Sequence, residues 1–329
     1  MRKRILLLTT GGTIASTPTA EGLAPGMDGQ DLARRLPFLT DRYTVTVRDI
    51  LHLDSSNIQP EEWQIIARHV FDSREEYDGI VITHGTDTMA YTASVLSFLL
   101  PGIRIPVVLT GAQLPIDHPL TDARLNLLRA FAAAQAGGPG VYVCFGDRLI
   151  SGVRCVKTHT TSMDAFSSVN APQAGHFDVE GVHFGHPQRY TPPPGAEDLP
   201  LRDGIDPRVF LLKLVPGTSP DVLRFVREAD YRGLVIEAFG LGGLHYIRRN
   251  LVRALDALAK SGVRVLVVSQ CLYEKADLGI YEVASGLEPS RVRGGADMTT
   301  EAAVCKLMWA LAQDDPDLWL SHRIIGEYR

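Results

Sequence analysis

Two short segments combine hydroxyl groups, glycines and a carboxylate, residue types that can supply a nucleophile and the hydrogen-bond donors beside it. They are Thr10-Gly11-Gly12-Thr13-Ile14-Ala15-Ser16 and His84-Gly85-Thr86-Asp87-Thr88. A threonine hydroxyl is a weak nucleophile until a base and fixed hydrogen-bond donors assist it. Glycines before it let the backbone approach a small molecule closely, with N–H groups and the Thr13 hydroxyl entering the same space. Nucleophile and oxyanion stabiliser can then come from one turn. In the second segment Asp87 can hold an ammonium group while the neutral Thr86 joins a proton relay. His84 has the chemistry of a general base, but at a strand end its expected place is a packed, hydrogen-bonded histidine. Nucleotide readings of the glycine turn fail. It lacks the third glycine of G-x-G-x-x-G, and no Gly-Lys-Ser/Thr follows it.

Lys157 lies in Arg154-Cys155-Val156-Lys157-Thr158, among apolar neighbours with few acids nearby. Lysine side chains are ordinarily exposed. One turned inward here would have its pKa lowered by desolvation and could act as a base.

The elements that must position these groups follow from periodicity. Short aliphatic runs at Arg4 to Leu8, Thr44 to Ile50, Gly79 to Thr83, Ile105 to Thr110 and Val141 to Phe145 predict strands. Ile80-Val81-Ile82 and Val107-Val108-Leu109 lack alternation, as in a parallel sheet covered on both faces. Pro60 opens a helix with Trp63, Ile66, Ala67, Val70 and Phe71 on one face. A second helix over Asp122 to Gln135 is expected to bury Leu125, Leu128 and Ala132. Strands at Val209 to Leu214, Gly233 to Ala238 and Val263 to Ser269 repeat the rhythm, with helices near Asp221 to Arg227, Asn250 to Lys260 and Thr300 to Ala312. The fold class is therefore α/β with two domains. Residues 1–186 form an N-terminal domain with the chemical motifs, 187–207 a proline-rich linker, and 208–329 a smaller C-terminal domain.

In an open parallel sheet, ligands bind outside the carboxyl ends of the strands. Four successive ends carry Thr9 to Ser16, Asp54-Ser55-Ser56-Asn57, Thr83 to Thr88 and Thr110-Gly111-Ala112-Gln113. Any one cluster could simply cap the next helix. All four together point to a crevice for a small polar molecule.

Composition narrows the classes further. Lys and Arg number 33 against 38 acidic residues, a net charge of −5, without the basic excess of a nucleic-acid binder. Cys144, Cys155, Cys271 and Cys305 form no C-x-x-C pair and read as buried free thiols of a reducing compartment. The charged start precedes an apolar run of only four residues, which reads as a first strand and not as a signal peptide. No run is long enough for a membrane span. A cytoplasmic location is the expectation.

The two threonine motifs, with Asp54-Ser55-Ser56-Asn57, Thr110-Gly111-Ala112-Gln113, Lys157 and Gly294-Gly295-Ala296-Asp297-Met298-Thr299, resemble the bacterial-type L-asparaginase family. The resemblance covers nearly the whole chain, and the Asp-Ser-Ser turn looks like the cytoplasmic, type I branch. It implies a larger flavodoxin-like N-terminal domain, a smaller C-terminal α/β domain, and a homodimer or dimer of dimers with active sites near a subunit interface. It implies that Thr13 attacks the amide carbonyl and is transiently acylated, with Thr86, Asp87 and Lys157 as the second catalytic cluster. Ser55, Ser56 and Asp87 would grip the substrate α-groups, with Gly12, Gly85, Thr86 and the Ala112 carbonyl also lining the site. L-asparagine is the implied substrate, L-glutamine a near rival, and no cofactor, metal, nucleic acid or membrane is implied. Many members carry a lid tyrosine hydrogen-bonded to the nucleophile. Here Glu21-Gly22-Leu23-Ala24-Pro25 puts Leu23 at about that place. A leucine cannot relay a proton, so this lid is expected to exclude water instead. Two other readings of the scaffold are the ammonia-releasing subunit of a glutamyl-tRNA amidotransferase, which has an additional N-terminal domain, and an amino-acid sensor. A sensor needs no nucleophile.

Overall fold

The structure is a computed structural model that describes residues 2–19, 22–193, 201–280 and 291–329. The chain forms two compact units, one of Met1–Tyr190 with Asp198–Asp203 and the other of Thr191–Glu197 with Gly204–Arg329.

The first unit is built on five parallel strands. These are β1 (Arg4–Gly11), β2 (Thr44–Leu53), β3 (Gly79–Thr83), β4 (Pro106–Thr110) and β5 (Gly140–Phe145). Their spatial order is β2-β1-β3-β4-β5. Three antiparallel strands extend the β5 side: β6 (Arg148–Ser151), β7 (Gly175–Asp178) and β8 (Gly181–Phe184). In register, Leu7 faces Val81 across β1 and β3, and Val81 faces Val108 across β3 and β4. The runs without alternation are buried throughout, as covered parallel strands require. Strand order reverses between β1 and β3, and that switch point is where a doubly wound sheet opens its crevice. The two threonine motifs leave the sheet from these two strands.

Helix α1 (Pro60–Ser73) begins with a capping box in which Gln59 and Glu62 satisfy each other's backbone N–H groups. It buries Trp63, Ile66, Ala67 and Val70 as expected. Helix α2 (Met89–Leu99) has no counterpart among the sequence expectations. It is apolar all round and buried except at Tyr91, so it shows no one-sided stripe to read. Helix α3 (Ala123–Ala136) corrects the expected face. Leu125 is 48% exposed, while Leu127, Ala130, Phe131 and Ala134 are buried against the sheet. Leucines and alanines on every side of this helix allow two apolar stripes. The one chosen carries small residues that let helix and strands approach closely: the Ala134 carbonyl would lie 2.2 Å from a Cβ on Gly79.

Among the described residues the second unit holds four parallel strands in sequence order, β9 (Val209–Lys213), β10 (Gly233–Ala238), β11 (Arg264–Ser269) and β12 (Val292–Gly294). Its helices Asp221–Glu228, Leu251–Lys260 and Thr300–Ala310 lie near the expected positions. The α/β class with two parallel-sheet units is thus present. Cys144, Cys155 and Cys305 are buried as expected, but Cys271 is exposed, because it lies beyond the end of β11. No helix among the described residues is long and apolar enough to cross a membrane.

Candidate active site

Three turns meet where β1, β2 and β3 end, and glycines make the meeting possible. Strand β1 bulges at its end, and Gly11 and Gly12 have φ of 106° and 83°. A Cβ on Gly12 would lie 2.5 Å from the Gly85 nitrogen and 2.7 Å from its Cα. One on Gly85 would lie 2.7 Å from both Cβ and Oγ of Ser55. The turn carrying Thr13, the turn carrying Thr86 and the Asp-Ser-Ser turn are therefore in backbone contact. Replacing Gly12 by alanine combines a left-handed conformation with overlap against backbone. The expected cost is about 3 kcal/mol of stability, with loss of the site's geometry. Urea denaturation of Gly12→Ala checks it, and an unchanged midpoint would contradict the packing.

Thr13 is the first residue of a 3-10 turn (Thr13–Ala15), and its side chain is half-buried. Its hydroxyl and backbone N–H meet no partner among the described residues. The Gly12 N–H is already bound to the Leu53 carbonyl at 3.1 Å, so it is not free for a ligand. Opposite, Lys157 Nζ donates to Thr86 Oγ1 at 2.8 Å and to Asp87 Oδ1 at 2.6 Å. The lysine has few acids near it in sequence. In space it faces Asp87, with 14% of its own side chain exposed and 67% of the aspartate's. Its strand (Cys155–Lys157) pairs with Phe166–Ser168, a hairpin with no clear signature in the sequence.

The two serines differ. Ser55 is 2% exposed, beneath Gly85, and its carbonyl accepts from Thr88 Oγ1 at 2.7 Å. Ser56 is exposed, and its hydroxyl donates to Asp54 Oδ1 at 2.5 Å. The Ser56 hydroxyl and N–H together hold the Asp54 carboxyl below the usual carboxylate range. Ala112 is buried, and its carbonyl accepts from no group among the described residues. The backbone of the lid segments Ser16–Thr19 and Gly22–Pro25 pairs antiparallel, with Leu23 opposite Pro18. Glu21 and the side chain of Leu23 lie outside what the structure describes.

Not every hydroxyl at the strand ends faces a crevice, which corrects the expectation from sequence. Thr10 Oγ1 donates to the Thr83 carbonyl and Thr110 Oγ1 to the Cys144 carbonyl, at 2.9 and 2.8 Å, and Thr9 is tied to Asp49. These hydroxyls join neighbouring strands. Gln113, given no role from sequence, is held firmly. Its N–H reaches both Asp122 carboxylate oxygens, and its amide nitrogen donates to the carbonyls of Thr160 and Ser162. Its Oε1 is left to accept from Thr86 Oγ1 at 3.4 Å. Only its place two residues after Gly111 pointed to it.

His84 is wholly buried, as expected of a packing residue. Its Nδ1 lies 2.7 Å from the Gly85 carbonyl and its Nε2 2.9 Å from Thr92 Oγ1. Burial pushes its pKa down from 6.5 to about 4, partly offset by the Gly85 hydrogen bond. The unfolded chain therefore takes up this proton before the folded one does. The contribution is fully present above pH 6.5 and is lost as pH falls through the folded pKa. Over that window it amounts to about 3 kcal/mol. Urea midpoints measured between pH 7.5 and 4 should fall more steeply in the wild type than in His84→Gln. Parallel curves would rule this linkage out.

No group of three or more His, Cys, Asp or Glu side chains suited to a metal occurs among the described residues. The chemistry on view is that of hydroxyls, one lysine, one aspartate and backbone amides.

The chain is similar to known proteins over most of its length. Residues 4–190 match the family described as "Asparaginase, N-terminal", and residues 208–318 match "Glutaminase/Asparaginase C-terminal domain". The L-asparaginase of Thermococcus kodakarensis is 43% identical over 94% of this chain and 92% of its own. The solved structure of that thermostable enzyme superposes with a TM-score of 0.89 at 41% identity, covering 99% of both chains. A probable cytoplasmic L-asparaginase from Campylobacter jejuni gives a TM-score of 0.82 at 28% identity, covering 98% of this chain and 100% of that one. One subunit of the glutamyl-tRNA(Gln) amidotransferase of Methanopyrus kandleri is 35% identical, over 94% of this chain and 71% of its own length.

Proposed function

Since this chain belongs to the asparaginase family, we propose that it hydrolyses L-asparagine to L-aspartate and ammonia through an acyl-threonine intermediate. The observation that carries the site assignment is the contact of Lys157 with both Thr86 and Asp87, on a turn packed through Gly85 against Gly12.

The substrate's α-ammonium and α-carboxylate bind to Asp87, Ser55 and Ser56, with the side-chain amide beside Thr13 and the Ala112 carbonyl. Thr13 Oγ attacks the amide carbon, and backbone N–H groups stabilise the oxyanion. The C–N bond breaks and the proton from Thr13, moved through Thr86 and Lys157, leaves on ammonia. Water then attacks the ester carbon, aspartate departs, and Thr13 regains its proton. Each turnover consumes one water and needs no redox partner or cofactor. Glutamine is a near rival, because one methylene is worth only about 1–3 kcal/mol of discrimination. We also infer a cytoplasmic homodimer or dimer of dimers, which sedimentation of the purified protein tests.

The amidotransferase reading is the less favoured. The chain is 43% identical to the Thermococcus asparaginase and 35% identical to the Methanopyrus amidotransferase subunit. Ammonia release from L-asparagine and from L-glutamine by the purified chain is the direct test. Rapid release from asparagine supports the reading. A folded protein that binds asparagine and releases nothing would favour a sensor or a subunit awaiting its partner.

A further inference from the structure

Behind the site, three buried side chains form a hydrogen-bonded line that the catalytic scheme does not use. Trp63 on α1 donates from Nε1 to Thr92 Oγ1 on α2 at 3.0 Å. Thr92 Oγ1 lies 2.9 Å from His84 Nε2, and His84 Nδ1 lies 2.7 Å from the Gly85 carbonyl. Trp63 is 6% exposed, and Thr92 and His84 are fully buried.

Both ends fix the polarity of the line. A carbonyl only accepts and an indole N–H only donates. The neutral ring therefore carries its proton on Nδ1 and gives it to Gly85. Its bare Nε2 accepts the Thr92 hydroxyl, which in turn accepts from Trp63. The Gly85 carbonyl is thus gripped from the interior. In a trans peptide the carbonyl of one residue and the N–H of the next point in opposite directions within one plane, and no cis peptide occurs among the described residues. The Thr86 N–H is thereby aimed away from the buried histidine, on a turn whose Thr86 side chain meets Lys157 and whose Gly85 packs against Gly12. It donates to no acceptor among the described residues. Thr86 is only 7% exposed, and a shielded donor left without a partner costs free energy unless something fills it.

We propose that Trp63 and Thr92, acting through His84, are positioning residues that hold the Gly85–Thr86 peptide so that the Thr86 N–H meets a substrate oxygen. This rests on the amidohydrolase reading above. A donor aimed at charge that develops during the reaction acts on kcat more than on KM. A donor that is displaced but not removed loses less than the roughly 10²–10³-fold seen when one is deleted.

Thr92→Val keeps the shape and removes both halves of the relay. Its kcat for L-asparagine is expected to fall about 10-fold to 100-fold, with KM changed less than about threefold. Thr92→Ser, which keeps the hydroxyl, should stay within about threefold of wild type on both. Nitrogen-15 spectra of the wild type should show His84 protonated on Nδ1 and bare on Nε2, and Thr92→Val should lose that fixed tautomer. A Thr92→Val protein with a lower melting temperature but wild-type kcat would overturn the proposal and leave a purely structural line. So would wild-type spectra showing the Nε2-protonated ring, which decides the matter even if the valine variant does not fold. A wild type that bears the expected tautomer but releases no ammonia counts against the amidohydrolase reading, not against the line's polarity.

Discussion

Thr13→Ala should lower ammonia release from L-asparagine by at least about 10³-fold while leaving the melting temperature nearly unchanged. The two halves of this expectation have different causes. Thr13 opens a short 3-10 turn, and its hydroxyl holds no partner among the described residues. Removing that oxygen leaves no buried group unpaired, so the stability change should stay within about 0.5 kcal/mol. The chemical loss is large because no water molecule takes the place of an oriented nucleophile that forms the ester. Steady-state ammonia release and a thermal melt on the same preparation check both halves. Turnover within tenfold of wild type would remove Thr13 from the mechanism, and a collapsed melting temperature would show a structural role instead.

Lys157→Met is expected to lower kcat by about 10²–10⁴-fold, the usual range for a positioned proton-transfer group. Methionine fills the space of the lysine stem, which is mostly buried, and removes only the ammonium that contacts Thr86 and Asp87. Asp87, with 67% of its side chain exposed, keeps its contact with water, so no uncompensated buried charge results. Lys157→Arg should not restore the rate. A planar guanidinium cannot shuttle a proton near neutral pH and does not fit the place of a compact ammonium. The pH–rate profiles of the three proteins check this. An arginine variant as active as wild type would reduce the lysine to a fixed charge.

Much of this protein was determined by local sequence. Apolar runs without alternation dictated buried parallel strands, and the apolar spacing of Pro60–Ser73 dictated a one-sided helix. Hydroxyls and glycines after successive strands marked where a crevice would open, and Gly12 and Gly85 stand where no Cβ fits. Other features had no local signature. Helix Met89–Leu99 is buried everywhere but at Tyr91, so its sequence carries no one-sided stripe. The buried face of Ala123–Ala136 was a choice between two apolar stripes, decided by what packs on it. Whether a strand-end hydroxyl ties the sheet or faces a ligand depends on which carbonyl lies within about 3 Å. Thr10 and Thr110 found strand partners, while Thr13 did not. The largest difference concerns Lys157, which meets an acid 70 residues away in sequence. Periodicity reports a residue's burial against its own element. Pairing between side chains on different elements is set only when the chain has closed, and in this protein that closure brought Lys157 against Thr86 and Asp87.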